Sequence, residues 1–75
     1  MAPVVQSVLL HKPITREKAE AILKRNGFKV TKVDETEQYL RYRQREPRPL
    51  EKKGYRFRTV PLGKLGQLVL AYPPA

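Results

Sequence analysis

The residues best suited to chemistry in this sequence are arginines in two short segments. The first segment carries Arg41, Arg43 and Arg45 at every second position, and the second carries Arg56 and Arg58 with the same spacing. Because successive residues of a strand point to opposite faces of a sheet, each set is predicted to share one face. A guanidinium group binds phosphate through two parallel hydrogen bonds, so phosphate is the ligand that such a cluster favours.

Two further features extend this cluster. Tyr39 falls on the same face as the first arginine set and is expected to stack on a nucleobase or to pack beside it. Residues 47–54 contain two prolines and are predicted to form a loop with three more cations. A solvated charged loop is the favoured interpretation, and a mobile arm that wraps a phosphate backbone is the alternative. The predicted nucleic-acid-binding residues are Arg41, Arg43, Arg45, Arg56, Arg58, Tyr39, Arg48, Lys52 and Lys53.

The net charge is concentrated in the same half of the chain as these arginines. The 75 residues carry a formal charge of +9. Residues 1–37 contain seven basic and five acidic side chains, whereas residues 38–75 contain nine basic and two acidic ones. Such an asymmetry is typical of a protein with a polyanionic partner, most often nucleic acid.

The elements that must position the arginines follow from the hydrophobic pattern. A helix is predicted over residues 15–26, because Thr15 suits an N-cap and Asn26-Gly27 suits a helix end. Phe28 is expected to fold back on Leu23 in a Schellman-type contact. Strands are predicted at residues 4–10, 28–33, 38–44, 55–60 and 65–72, with polar turns at 34–37 and 61–63.

This order, β-α-β-β-β-β, predicts an α+β fold in which one helix packs on a mostly antiparallel sheet as a two-layer sandwich. We expect a single domain over residues 4–72, with frayed ends at 1–3 and 73–75. The helix needs an apolar sheet surface, so Leu40, Tyr42, Tyr55 and Phe57 are predicted to face it. All five arginines would then project from the opposite face.

The composition argues against catalysis. The chain has no cysteine and a single histidine, His11, which has no evident partner for acid–base work. Asp34, Glu35 and Glu37 lack the spacing of a metal site and are expected to form a solvated turn. We therefore expect no enzyme activity, no cofactor and no metal. The sequence also shows no membrane span or signal peptide, which predicts a cytoplasmic protein.

Two sequence stretches resemble a small domain of tailed-phage, prophage and giant-virus proteins. One is Tyr42-Arg43-Gln44 followed by Pro47, coupled to the run 57–63, FRTVPLG. The other is the opening 5–9, VQSVL, with a short helix and then 26–29, NGFK. The resemblance covers about residues 4–70 and implies a viral or mobile-element origin, in host cytoplasm or virion. It implies no substrate and no catalytic residue.

The sequence thus predicts a small basic module that binds DNA or RNA through phosphate contacts, largely without sequence preference. The main alternative is a protein-interaction or assembly module, as a homo-oligomer or phage-particle component. It would present the arginine face to an acidic partner surface, or the edge of the fifth strand (Leu68, Val69, Leu70) to another sheet. A third interpretation is passive: the arginines pair with nearby acids or prevent edge-to-edge aggregation.

Overall fold

The structure, a computed structural model, describes residues 3–74 and confirms the α+β class, with a helix on an antiparallel sheet. Its elements are β1 (Val4–His11), α1 (Arg16–Arg25), β2 (Val33–Glu35), β3 (Tyr39–Arg43), α2 (Pro47–Lys52), β4 (Arg56–Leu62) and β5 (Gly66–Tyr72). The fraying predicted at 1–3 and 73–75 falls partly on residues 1, 2 and 75, which lie outside the described residues.

The five strands form one sheet in the order β2-β3-β1-β5-β4, and every neighbouring pair is antiparallel. β1 is central, as its run of apolar residues on both faces predicts. β2 and β4 are the edges. The predicted docking surface on the edge of the fifth strand is therefore wrong, because β5 has hydrogen-bonded neighbours on both sides.

The predicted boundaries of the first helix are confirmed. The hydroxyl of Thr15 accepts a hydrogen bond from the Lys18 N–H at 3.3 Å, which satisfies one orphan donor of the first turn. At the other end Gly27 adopts a φ of 78°, in the left-handed region that glycine tolerates best. The Phe28 N–H then donates to the Leu23 carbonyl at 2.8 Å, which is the expected Schellman closure.

The core lies between α1 and the two strands β1 and β3. The fully buried apolar residues of this layer are Val8, Leu10, Ala19, Leu23, Leu40 and Tyr42. The Tyr42 hydroxyl donates to the Glu20 carboxylate at 3.2 Å at the edge of this core. The prediction that Leu40 and Tyr42 face the helix is thus confirmed.

Two predicted boundaries are wrong. The second strand is Val33–Glu35 rather than 28–33, so part of the expected polar turn is paired sheet. Phe28 and Val30 still pack on the core, but from an irregular stretch. The alternation of apolar residues at 28–33 therefore reflects which side chains are buried, and it does not indicate a strand. The fourth strand extends through Pro61 to Leu62, which an edge strand tolerates because its outer side needs no ladder donor.

The predicted loop at 47–54 contains the short helix α2. Pro47 and Pro49 lie in its first turn, where the backbone N–H that proline lacks would have no partner within the helix. The prolines therefore start this helix instead of preventing it.

Gly66 allows β5 to approach β1 closely, and this makes a stability prediction. A Cβ at Gly66 would collide with the Leu9 carbonyl oxygen and lie 2.9 Å from the Leu10 Cα. We expect Gly66→Ala to lower the free energy of unfolding in urea by about 3 kcal/mol, as overpacking against backbone does. Gly27→Ala is the control and should cost only about 1 kcal/mol, since its Cβ meets no atom and only its φ is unfavourable. Equal losses would contradict the close approach.

Candidate nucleic-acid interface

The structure divides the predicted arginine cluster between the two faces of the sheet. Arg41 and Arg43 pair with β1 residues that point away from α1. Arg58 pairs with Leu70 of β5, and Leu70 lies on the same face of the sheet as Leu68. Leu68 packs on the core beneath α1. Residues paired across an antiparallel sheet share a face, so Arg56 and Arg58 lie on the α1 side. The prediction of a single face with five arginines is therefore wrong.

The error arises because β4 lies beyond the reach of α1. β5 separates β4 from the central strand, so packing against the helix does not set which β4 residues point inward. The three-residue loop between Leu62 and Gly66 sets the register instead. Phe57 consequently faces away from α1 and is 36% exposed, and Tyr55 precedes the strand. The prediction that Tyr55 and Phe57 face the helix is wrong.

The two arginines of β3 are held by groups of the protein itself. Arg43 forms ion pairs with Asp34 at 3.2 Å and with Glu46 at 3.5 Å. The Arg41 Nε donates to the Ser7 hydroxyl at 3.4 Å. Pairing with nearby acids, one of the alternatives from the sequence, thus accounts for Arg43. This face is not an open cationic platform.

Tyr39 also has a partner within the protein. Its ring centroid lies 4.9 Å from that of His11, with the two planes inclined at 39°. The two residues pair across β3 and β1. Base stacking by Tyr39 would have to replace or extend this contact, so Tyr39 is a weaker candidate than the sequence implied.

The exposed cations instead cluster in residues 45–58, which we call the basic segment. It leaves the end of β3, forms α2 and enters β4. Its six cations are exposed and, within residues 3–74, none of them forms an ion pair. They are Arg45, Arg48, Lys52, Lys53, Arg56 and Arg58. The cations predicted for the loop thus remain candidates, but a helix now carries two of them.

Buried Gln6 fixes the start of the basic segment. Its backbone carbonyl accepts from the Gln44 N–H at 2.8 Å and from the Arg45 N–H at 3.2 Å. Its side-chain amide donates to the Arg45 carbonyl at 2.9 Å, and its amide oxygen accepts from the Ser7 hydroxyl. Arg45 therefore lies beyond β3 on a backbone anchored to the central strand, and does not continue the β3 arginine row as predicted.

α2 and the turn after it place the middle of the segment. Arg48 and Lys52 are four residues apart, so they share one side of the helix. Like charges at this spacing repel each other, and a bound anion would relieve the repulsion. Gly54, with a φ of 85°, reverses the chain, and the Tyr55 N–H donates to the Leu50 carbonyl at 3.0 Å. The segment is thus compact rather than a mobile arm.

Sequence reasoning missed two lysines that lie beside the start of this segment. Lys29 and Lys32 line a cavity of about 230 Å³ together with Arg43, Arg45 and Glu46. No spacing pattern indicated them, because the stretch that carries them was predicted to be a regular strand. Four of the residues that line the cavity are cationic and one is acidic, so the cavity suits a small anion.

Side-chain hydrogen bonds hold this cavity in shape. The Gln44 amide oxygen accepts from the Lys29 N–H at 2.7 Å, and its nitrogen donates to the Lys29 carbonyl at 2.8 Å. The Arg43 N–H donates to the Lys32 carbonyl at 2.9 Å. The Gln44 side chain thus makes the two backbone hydrogen bonds to Lys29 that a neighbouring strand would otherwise make.

Glu46 is the anion that the cavity already contains. Its carboxylate contacts the Lys32 ammonium and the Arg43 guanidinium. The hydrogen bond and positive charge of Lys32, with a smaller effect of Arg43, hold the pKa of Glu46 below its usual range. This carboxylate marks where two cations converge, and it competes with any external phosphate for them.

Comparison with known proteins gave no match to a family model, a curated protein or a solved structure. The helices of residues 3–74 are too short to cross a membrane. Across the same residues, no three acidic or histidine side chains come close enough together to hold a metal ion. Any function proposed for this protein therefore rests on the geometry of the basic segment and of the cavity beside it.

The Glu46 contact makes a prediction for titration by NMR. Lys32→Met removes the largest cause of the depressed pKa, so the Glu46 carboxyl should titrate at a higher pH than in the parent protein. Lys24→Met removes the same charge from an exposed site on α1 that has no ion pair with Glu46, and should leave its titration in place. A Glu46 pKa that responds equally to both substitutions would contradict a direct contact.

Proposed function

We propose that the protein is a small, non-enzymatic module that binds nucleic acid through phosphate contacts from the basic segment. The observation that carries this proposal is the set of six exposed cations at 45–58 without ion-pair partners. Folding does not require them, since none of the six is buried. Phosphate backbones neutralise such cations with a gain in counterion entropy.

The contacts in this proposal are largely independent of sequence. α2 has six residues and no buried side chain, so it is short for a helix that enters a major groove to read base edges. Long, exposed arginine and lysine side chains suit phosphate oxygens instead. The cavity beside Arg45 offers a further place for a phosphate, where the external anion would displace Glu46.

A binding experiment with charge-matched variants tests the proposal. Fluorescence anisotropy of labelled single-stranded and duplex oligonucleotides would be measured across a range of salt concentrations. We expect Arg56→Gln/Arg58→Gln to weaken binding and to reduce the slope of log K against log salt by about 2, one per lost phosphate contact. Lys18→Gln/Lys24→Gln on α1 removes the same charge and should change the slope much less. Equal effects of the two pairs would reject the basic segment as the interface.

Glu46 supports an opposite prediction. Glu46→Gln removes the internal competitor and releases Lys32 for an external phosphate, whereas Arg43 keeps its ion pair with Asp34. We expect tighter binding and a salt slope steeper by about 1, since one more cation becomes available. Glu51→Gln, which also removes one negative charge from the segment, is the matched control, because Glu51 forms no ion pair within residues 3–74. An equal gain from both variants would show that only net charge matters.

A protein-interaction module remains the second candidate function. The observation that favours it is the long edge strand β4, whose seven residues carry Arg56 and Arg58 outside the main core. An acidic partner strand or a second copy would use this edge. Size-exclusion chromatography with light scattering separates the candidates: a stable homo-oligomer that loses nucleic-acid binding would favour assembly.

A further inference from the structure

One side of the sheet is only partly covered by α1. Five strands spaced about 4.8 Å apart make a sheet roughly 20 Å wide, whereas a helix with its side chains is about 10 Å across. The buried core beneath α1 comes from β1 and β3. Among residues 3–74, no element covers the β5–β4 half of this side, and the uncovered width is about that of one helix.

An apolar groove lies where this uncovered half meets α1, with Val8 and Leu10 of β1 in its lining. It is a cavity of about 360 Å³ between α1 and the β4–β5 hairpin, and Asn26 is its single polar lining residue. Ile22 and Phe28 contribute from the helix side, and Leu65 and Leu68 from the hairpin side. A groove of this composition suits the apolar side chains of a ligand.

The exposed leucine at the groove mouth has a fixed backbone. Leu65 is 45% exposed, yet its carbonyl accepts the His11 N–H at 2.9 Å and its own N–H donates to the Leu62 carbonyl at 3.2 Å. Its exposure is therefore part of the folded shape of the hairpin. A partner would find the groove preformed and would pay little to order it.

The rim of the groove is basic. Lys18 and Arg25 lie four residues before and three residues after Ile22, which places them along the same side of α1. Lys64 adjoins Leu65 at the tip of the hairpin. The ion-paired Glu20 lies on the other side of α1, where it contacts Tyr42. Charge complementarity therefore requires an occupant with carboxylates beside its apolar groups.

We propose that this groove binds an amphipathic helix of a partner protein, with an apolar stripe facing Leu65 and Leu68 and with acidic residues facing the basic rim. The uncovered width of the sheet matches the diameter of one helix, and the positive charges at the rim of the groove favour a helix that carries negative charge. A second copy of this chain is disfavoured as the occupant, because its own groove is bordered by cations that would repel Lys18, Arg25 and Lys64. No residue of the basic segment lines the groove, although Arg56 and Arg58 lie farther along the same side of β4. The inference rests on the lining and rim of the groove and not on nucleic-acid binding.

The test uses three synthetic peptides of about 16 residues, long enough to form a helix on binding. The first has a leucine stripe with glutamates elsewhere, the second replaces every glutamate by lysine, and the third scrambles the first to destroy the stripe. Each is titrated into the full chain while backbone amide shifts are followed by NMR. We expect the first peptide to bind at least roughly tenfold more tightly than the other two, with shifts at Ile22, Leu65 and Leu68.

Two substitutions provide the control. Leu65→Glu places a carboxylate at the groove mouth and should abolish binding of the first peptide while the protein stays folded, because the side chain is already half-exposed. Thr59→Glu makes the same change on an exposed β4 residue that faces away from α1, and should leave binding intact. Equal binding of the acidic and scrambled peptides, shifts outside the groove, or self-association through Leu65 would each overturn the proposal.

Discussion

The contact between α1 and the paired strands β1 and β3 is the interaction on which the rest of the structure depends. Ala19 and Leu23 close over Val8, Leu10, Leu40 and Tyr42, and these six residues make up the buried cluster. A chain of 75 residues buries only about 60% of the surface that its unfolded form exposes, so it has little apolar material for a second such layer. Only α1 of the two helices contributes to this core, since α2 buries no side chain, and one packed helix covers about half of a five-stranded sheet.

This limit explains where the two proposed binding surfaces lie. On β3, beside the central strand, Arg43 is ion-paired with Asp34 and Arg41 contacts the Ser7 hydroxyl. In the half of the sheet that α1 leaves uncovered, β4 carries two arginines that form no ion pair within residues 3–74, and the helix side of β5 borders an open apolar groove. The five arginines predicted for one face are therefore divided between two on β3 that contact protein groups and two on β4, with Arg45 beyond the end of β3.

The parts that the sequence predicted well are those set by neighbours in the chain. Thr15 and Gly27 bound the first helix through local hydrogen bonds, and the alternation around Tyr42 gives the third strand its inward face. The predictions that failed depend on contacts between residues that are distant in the chain. Phe57 has the period of an inward residue, but β4 lies two strands from the centre and its register comes from a hairpin loop. Lys29 and Lys32 reach the site because the Gln44 side chain and the Arg43 N–H hold an irregular stretch against β3.

Both open surfaces carry a free-energy cost in the unbound protein. Arg48 and Lys52 repel each other at helical spacing, and the groove beside Ile22 leaves apolar surface in water. A ligand that binds only the folded state adds stability that grows with its concentration, about 2.7 kcal/mol at one hundred times its dissociation constant. For a domain with so small a core, that gain is a large fraction of the total. A ligand bound at either of the two proposed surfaces would therefore stabilise the fold as well as occupy the site.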